Sequence, residues 1–556
     1  MHKKGFPVFI FGTVRPGGET MPEEFDDFED EEDQRPSRGR LARWFSFLPS
    51  LSPGLRLVRN IIVVILVLAL GFFGFVKWSL RAPRPLIPPG RSFVLTGVTI
   101  VNPGLNRMQR KTLIVKEGRI TKIEDNVPAD AGIVAARYAG YYVLPGLIDM
   151  HVHTPPPPAN TDRQYFYLEY LLNGVTSIRD TGNSGFMLRD RIETADGQVA
   201  GPRIFTCGPY LDGAPPVWQF SHVVRDQADA DHVVDRLAAN GADFVKVYDR
   251  LSPEALVAIE NAARQHNLPV VGHVPELVAF ENAHIDDVQH LTGVPNVPLR
   301  IYPDVTSLYA ARANGWRDLD DRRIRFVIET SLKQHIAHTP TIVANDRISR
   351  LFDFDQQLVD PVASVLPHWY PEIVWPTFFT GTGGVPGELQ QAMRVMHAQI
   401  PRMKMVVRRM HEAGVTLHLG TDTLNPFIVP GESLHEEMQN FVDAGFSPEE
   451  VWRAATAGNG EGLPMPDLGI LKVGAPADLL IFRNDPTQSL DAFDSLEAVV
   501  VDGRFYFRSQ LDDAILRYHR RFDSSMYRFV TMTVMRGVMR RIRPRDVSGK
   551  IPADAD

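Results

Sequence analysis

Two histidines one residue apart, His151 and His153, close the apolar run Val143-Leu-Pro-Gly-Leu-Ile-Asp-Met-His-Val-His-Thr154. Entered through Pro145 and Gly146, such a run reads as a short buried strand. Side chains at i and i+2 of a strand face the same way, so both imidazoles can reach one metal ion if the strand end opens into a cavity. A lone His-x-His is equally a surface accident. Four further residues lie in or at the end of strand-like runs: Lys246 in 244–249, His273 in 269–273, His290 in 287–290 and Asp422 in 415–422. Taken singly, such a histidine is more often hydrogen-bonded structure, Lys246 a solvated side chain and Asp422 a turn cap. Their joint occurrence at successive strand ends favours a common pocket. The single cysteine, Cys207, excludes an intrachain disulfide framework and a cysteine-rich cluster, so any metal is held by nitrogen and oxygen.

These residues need elements to position them. Strand-like runs at 176–180, 203–206, 244–249, 269–273, 287–290, 339–343 and 415–422 join the first strand to make eight. Helix-periodic stretches at 231–240 and 252–267 lie between them, the second opened by the N-cap Ser252-Pro253-Glu254. The pattern predicts an α/β fold, a (β/α)8 TIM barrel over residues 146–464 with its chemistry at the C-terminal strand ends. Strand-like runs at 93–101 and 112–123, and again at 477–482 and 496–504, predict a small β-sandwich built from residues 92–145 and 465–508.

The ends differ in character. Residues 1–59 are expected to be a disordered tail, acidic over 23–33 and basic over 35–43. The apolar segment 60–80 predicts a transmembrane helix: about 20 residues make about 30 Å, and Trp78 would sit at an interface. A cleaved signal peptide would not follow so long a tail. Arg38, Arg40, Arg43, Arg56 and Arg59 before the span slightly outweigh Lys77, Arg81, Arg84 and Arg91 after it, which places the N-terminus in the cytoplasm and the body outside. Residues 81–91 read as a proline-rich stalk. Residues 509–556 read as a basic amphipathic helical tail with Phe522, Met526, Phe529, Val530, Thr533, Val534 and Val538 on one face; packing on the body is expected ahead of a membrane or subunit contact. At 556 residues and 44% hydrophobic content the chain has material for more than one core, and a formal charge of -8 leaves no nucleic-acid footprint.

The motifs Leu144-Pro-Gly-Leu-Ile-Asp-Met-His-Val-His153, Val245-Lys-Val-Tyr-Asp249, Val271-Gly-His-Val-Pro275, Val288-Gln-His-Leu-Thr-Gly293, Gly420-Thr-Asp-Thr423 and Gly474-Ala-Pro-Ala-Asp-Leu479 occur in order across residues 93–505. In this combination the chain resembles the metal-dependent amidohydrolase superfamily, in the branch of imidazolonepropionase-like proteins and Xaa-Pro dipeptidases (prolidases). The resemblance implies two divalent ions, zinc foremost. His151, His153 and Asp422 would hold the first and His273 and His290 the second, with a carboxylated Lys246 bridging them. It also implies that a metal-bridging hydroxide hydrolyses an amide or peptide C–N bond of a dipeptide or N-acyl amino acid, with Asp422 shuttling the proton.

Tyr248 is the candidate substrate contact, core packing being its alternative, and Asp180-Thr181-Gly182 is either a support for the site or a turn. Pro155–Pro158 would stiffen the rim. The long insertions 294–334 and 346–392, the second carrying Trp369, Tyr370, Trp375, Phe378 and Phe379, are expected to shape substrate access. Where relatives continue the last barrel helix with Asn-Pro-Ala, this chain reads Thr456-Ala-Gly-Asn-Gly-Glu461. The same metals would serve to open a cyclic amide or cleave an ester or phosphotriester. A non-catalytic membrane-tethered binding module would be expected to lack ligands, and this chain lacks none; a homo-oligomer stays open.

Overall fold

A computed structural model describes residues 52–87, 90–125, 134–135, 138–154, 162–182, 187–218, 220–376 and 385–539. Most of the predicted N-terminal tail, Pro155–Pro158, Phe378, Phe379 and everything after Met539 lie outside the described residues. The chain divides into two compact units, residues 1–75 and 76–556. Helix α1 (Pro53–Ser79) begins before the apolar run, with proline in its first turn and Leu55, Leu57 and Val58 extending its apolar surface. Residues 53–78 are long and apolar enough to cross a membrane, and their large side chains are exposed.

In the second unit, β1 (Phe93–Asn102), β2 (Asn106–Lys116), β3 (Arg119–Glu124), β4 (Val134–Ala135) and β5 (Tyr142–Pro145) precede β6 (Leu147–Val152), β7 (Val175–Asp180) and β8 (Arg203–Thr206). There follow β9 (Leu211–Asp212), β10 (His222–Val223), β11 (Val245–Val247), β12 (Val270–Gly272), β13 (Asp287–Gln289), β14 (Ala337–Thr339) and, near the end, β15 (Leu479–Phe482), β16 (Leu496–Val501) and β17 (Arg504–Phe507). Helices α2 (Arg163–Leu172), α3 (Met187–Ala195), α4 (Gln227–Ala239), α5 (Pro253–Gln265), α6 (Val305–Arg317), α7 (Asp321–Gln334) and α8 (Ile342–Ser349) are interspersed among the strands from β6 onward.

The two ends of the body meet in one eight-stranded mixed sheet, ordered β17-β16-β15-β5-β1-β2-β3 with β4 beside β1. Its centre is β5, which sets Leu144 opposite Leu480 in an antiparallel pair and Val143 opposite Ile100 in a parallel one. Alternate residues of these strands, among them Leu95, Leu113, Val143, Leu479, Ile481 and Val500, share one apolar core.

Between the ends every strand pairing is parallel: β6-β7-β8 in one sheet and β10-β9-β11-β12-β13-β14 in another. Backbone bonds continue beyond each sheet. Asp243 N–H donates to the Thr206 carbonyl at 2.8 Å, His418 N–H to that of His338 at 2.8 Å, and Met150 N–H to that of Leu419 at 3.0 Å. The segment 415–423 thus runs between β14 and β6, yet it forms only isolated bridges to Val152 and His338 instead of the regular strand expected there. Its Leu419 N–H is taken by the Asn459 side chain, and its Thr421 N–H is shared between Asp149 Oδ1 and the His151 carbonyl. The strand expected at 339–343 is also displaced. β14 ends at Thr339 because Pro340 has no N–H to continue the ladder, and α8 follows.

Elsewhere the local signals hold. The Ser252 hydroxyl accepts from Ala255 N–H to start α5, and Asp226 caps α4 in the same way. The insertion aromatics are a correction: Trp369, Tyr370 and Trp375 are buried, with Trp369 stacked on Tyr370 and Trp375 packed on Phe427, so they build core and not rim. The tail forms two helices, Arg508–Phe522 and Ser525–Met539. These pack on the body through Tyr518 to Gln164 and Tyr527 to Asp162. The expected face is only partly covered: Phe522 is buried but Phe529 is 67% exposed, while Tyr527, Met532, Met535 and Met539 are covered instead. The Tyr527–Asp162 hydrogen bond lies on the covered side.

Candidate metal centre

The buried strand β6 delivers His151 at its end and His153 just beyond. Segment 415–423 lies tightly against it: a side chain at Gly420 would bring its Cβ within 2.7 Å of the His151 nitrogen, so only glycine fits. Thr421 and Asp422 N–H both donate to the His151 carbonyl. Asp422 itself has φ 67°, and His290, just past β13, has φ 58°. Both are left-handed conformations that cost a non-glycine residue free energy, and such outliers gather at functional sites.

The six predicted residues come together. Asp422 Oδ1 lies 3.0 Å from His153 Nε2 and 3.3 Å from His151 Nε2, while its Oδ2 is 3.9 Å from His290 Nδ1. The His290 ring is centred 4.6 Å from that of His151 and 4.9 Å from that of His273. Lys246, in β11, is buried and donates to Gln289 Oε1; it interacts electrostatically with Asp422, His273 and His290. Tyr248, the candidate substrate contact, accepts from Trp218 Nε1 at 3.0 Å, and its ring lies 4.3 Å from that of His273.

The electrostatics suit cation binding. Burial, with help from neighbouring positive groups, holds His151 and His290 well below the usual imidazole range. Burial also brings His273 down to about 4, so these rings are neutral with a lone pair to offer. Burial pulls Lys246 down to about 7, only partly opposed by Asp422. For Asp422 burial acts upward, but the hydrogen bond from His153 and the nearby Lys246 ammonium help hold the carboxyl below its usual range. Both ring nitrogens of the fully buried His151 lack a hydrogen-bond partner. Donor atoms of His151, His290 and Asp422 lie within 4.8 Å of one another. An orphaned buried imidazole is costly unless a ligand takes its lone pair, so the donor set fits a divalent cation.

Three of the imidazoles are held from outside. His153 Nδ1 meets the Gly182 carbonyl at 3.0 Å, His273 Nδ1 meets Asp249 Oδ1 at 2.8 Å, and His290 Nδ1 meets Thr341 Oγ1 at 2.6 Å. Such partners orient a metal-binding ring and choose its tautomer. Asp180-Thr181-Gly182 thus touches the cluster through the Gly182 carbonyl. Sequence reasoning missed four positioning residues. Asp249 and Asp149 lay inside the motifs, at i+3 from Lys246 and i−2 from His151; Asp149 accepts from Thr421 Oγ1 at 2.7 Å and from His151 N–H at 3.2 Å. Thr341 and Asn459 had no local signal. Asn459 accepts from Leu419 N–H and donates to the carbonyls of Ile148 and Leu419 at 2.7 and 2.9 Å, tying β6 to the segment that carries Asp422.

Residues 142–505 match the model of the Amidohydrolase family. A dihydroorotase of Pelotomaculum thermopropionicum is 24% identical over 287 residues, which are 50% of this chain and 60% of that protein, so the chain spans under two thirds of that relative's length. Among solved structures, a bottromycin amidohydrolase superposes with a TM-score of 0.58 at 23% identity, covering 80% of this chain and 92% of its own. A Xaa-Pro dipeptidase with methionine bound in its active site superposes with a TM-score of 0.54 at 18% identity, covering 75% of this chain and 100% of its own.

Proposed function

We propose that this chain, which belongs to the amidohydrolase family, hydrolyses an amide or peptide C–N bond, its substrate being a dipeptide or an N-acyl amino acid. The observation that carries the reading is Asp422 lying within 4 Å of three imidazoles, two from the end of β6 and one from the end of β13. An eightfold barrel is the scaffold we infer. Its support is the run of parallel pairings from β6 to β14 and the backbone bonds through 415–423 back to β6. The bridge between Arg119 and Pro476, which folds β3 back toward the start of β15, supports a sandwich-like form for the eight-stranded sheet.

His151, His153 and Asp422 would hold one divalent ion, zinc foremost, and His273 and His290 a second, with Lys246 carboxylated between them. Such ions, when bound, lower the pKa of water and polarise a carbonyl oxygen. The chain's own residues supply the rest. Lys246, brought to about 7 by burial, has enough neutral amine near neutral pH to take up carbon dioxide. Asp422 Oδ2, the oxygen turned away from His151 and His153, accepts the proton of the attacking water and returns it to the departing amine nitrogen. Tyr248, beside His273, is the nearest aromatic surface for the substrate.

The test is Asp422→Asn in the full chain. Turnover of dipeptides and N-acyl amino acids should disappear while bound metal, measured by elemental analysis, is retained. Wild-type turnover in that variant removes the proton shuttle, and wild-type protein that takes up no metal removes the whole reading.

A further inference from the structure

We propose that the cavity between His290 and helix α6 is a substrate subsite for an amino-acid residue bearing a free carboxylate and an apolar side chain, with Arg312 pairing the carboxylate. The proposal rests on the hydrolase reading above and deepens it. The cavity, of about 240 Å³, counts His290 of the imidazole cluster and Thr292 in its lining. Clefts for drug-sized ligands run to roughly 300–1,000 Å³; this one is the size for a single residue. Its lining includes the apolar side chains of Val278, Phe280, Leu308, Trp316 and Met396, with Glu281 and Arg323 also present.

Arg312 stands in that lining on α6, inside the first insertion. Its Nη2 donates to Asp249 Oδ1 at 3.1 Å, the one hydrogen bond it makes among the described residues. The remaining N–H groups of a five-donor fork are left to the cavity. Asp249 pairs with Arg312 through the single oxygen that also meets His273 Nδ1, so the contact engages one edge of the guanidinium. The other acid close to it in the lining, Glu276, has one oxygen engaged by Tyr302 N–H at 2.8 Å. The same lining therefore offers a carboxylate the forked donor of Arg312 and an apolar side chain a set of hydrophobic neighbours. That is the shape of an α-amino-acid residue attached through its nitrogen to an acyl group over the metal ligands.

The experiment compares N-acetyl-L-leucine, its carboxamide and N-acetylglycine, by calorimetric binding to the full chain and by product release. Wild type should bind the leucine acid roughly 10- to 100-fold tighter than the amide, the worth of a charge-assisted hydrogen bond. It should also prefer leucine over glycine by at least about tenfold. In Arg312→Gln the ratio of acid to amide should fall toward one, whatever happens to the absolute rates through Asp249. Equal binding of acid and amide by wild type, equal binding of leucine and glycine, or a loss in Arg312→Gln of the same factor for acid and amide would each overturn the subsite. Selective binding without any turnover would keep the subsite and overturn the hydrolase reading. Turnover without selectivity would do the reverse.

Discussion

Asn459 gives a direct test of how the site is held together. It is fully buried, and its amide makes three bonds: from Leu419 N–H at 2.9 Å, to the Ile148 carbonyl at 2.7 Å and to the Leu419 carbonyl at 2.9 Å. Replacing it with alanine leaves Leu419 N–H buried without a partner, which costs about 1–3 kcal/mol. The Leu419 carbonyl keeps its bond from Met150 N–H, so losing the amide donors adds only about 0.5–1.5 kcal/mol for Ile148. The total, about 2–4 kcal/mol, should lower the midpoint of thermal unfolding by several degrees at roughly 2–4 °C per kcal/mol for a mid-sized domain. His151 and Asp422 each lie three residues from the clamped positions, so chelator-resistant metal should fall with stability. Scanning calorimetry and elemental analysis of Asn459→Ala provide the readout. A variant whose midpoint stays within about 1 °C of wild type, with undiminished metal, would refute the claim that this amide fastens the two ligand-bearing segments.

Three more outcomes are expected. Asp249→Asn should weaken metal retention roughly 10- to 100-fold in chelator competition, because His273 Nδ1 loses its charged partner. Burial holds His338 down at about 4 against its ordinary 6.5; since the unfolded chain binds the proton more readily, the stability this ring contributes is complete above pH 6.5 and is lost as pH falls toward 4. His338→Asn should therefore flatten the acid side of the midpoint-versus-pH curve, and an unchanged slope would count against it. Helix α1, with its exposed apolar side chains, should keep the full chain in the membrane fraction through an alkaline wash, with protease added from outside the cytoplasm reaching the body.

Much of the site was readable because its ligands announce themselves through strand logic: alternation puts His151 and His153 on one face, and short Val-rich runs flag β11, β12 and β13. What escaped was whatever depends on a distant segment. Thr341 and Asn459 meet their partners across 51 and 40 residues of chain, and no local pattern records such a meeting. Segment 415–423 was misread as a regular strand because side chains interrupt its ladder, Asn459 taking Leu419 N–H and Asp149 sharing Thr421 N–H, which periodicity does not show. The C-terminal helix was turned to the wrong side for a related reason. Apolar weight favoured Phe529, whereas the covered side carries Tyr527, bonded to Asp162, and three methionines. The Trp369-Tyr370 pair misled in the opposite sense, since a long aromatic insertion need not be a lid when it can fill a core.

The pairing of β5 with β15 sets a schedule for biosynthesis. More than 330 residues separate Pro145 from Leu479, and at ~5–20 residues per second translation takes on the order of half a minute to cross that interval. Throughout it the edge of β5 that β15 will occupy waits without its neighbour, an open template for pairing with a nascent copy emerging nearby. Truncation anywhere before Leu479 should consequently yield aggregates and not a smaller working enzyme, and chaperone demand should peak late in synthesis.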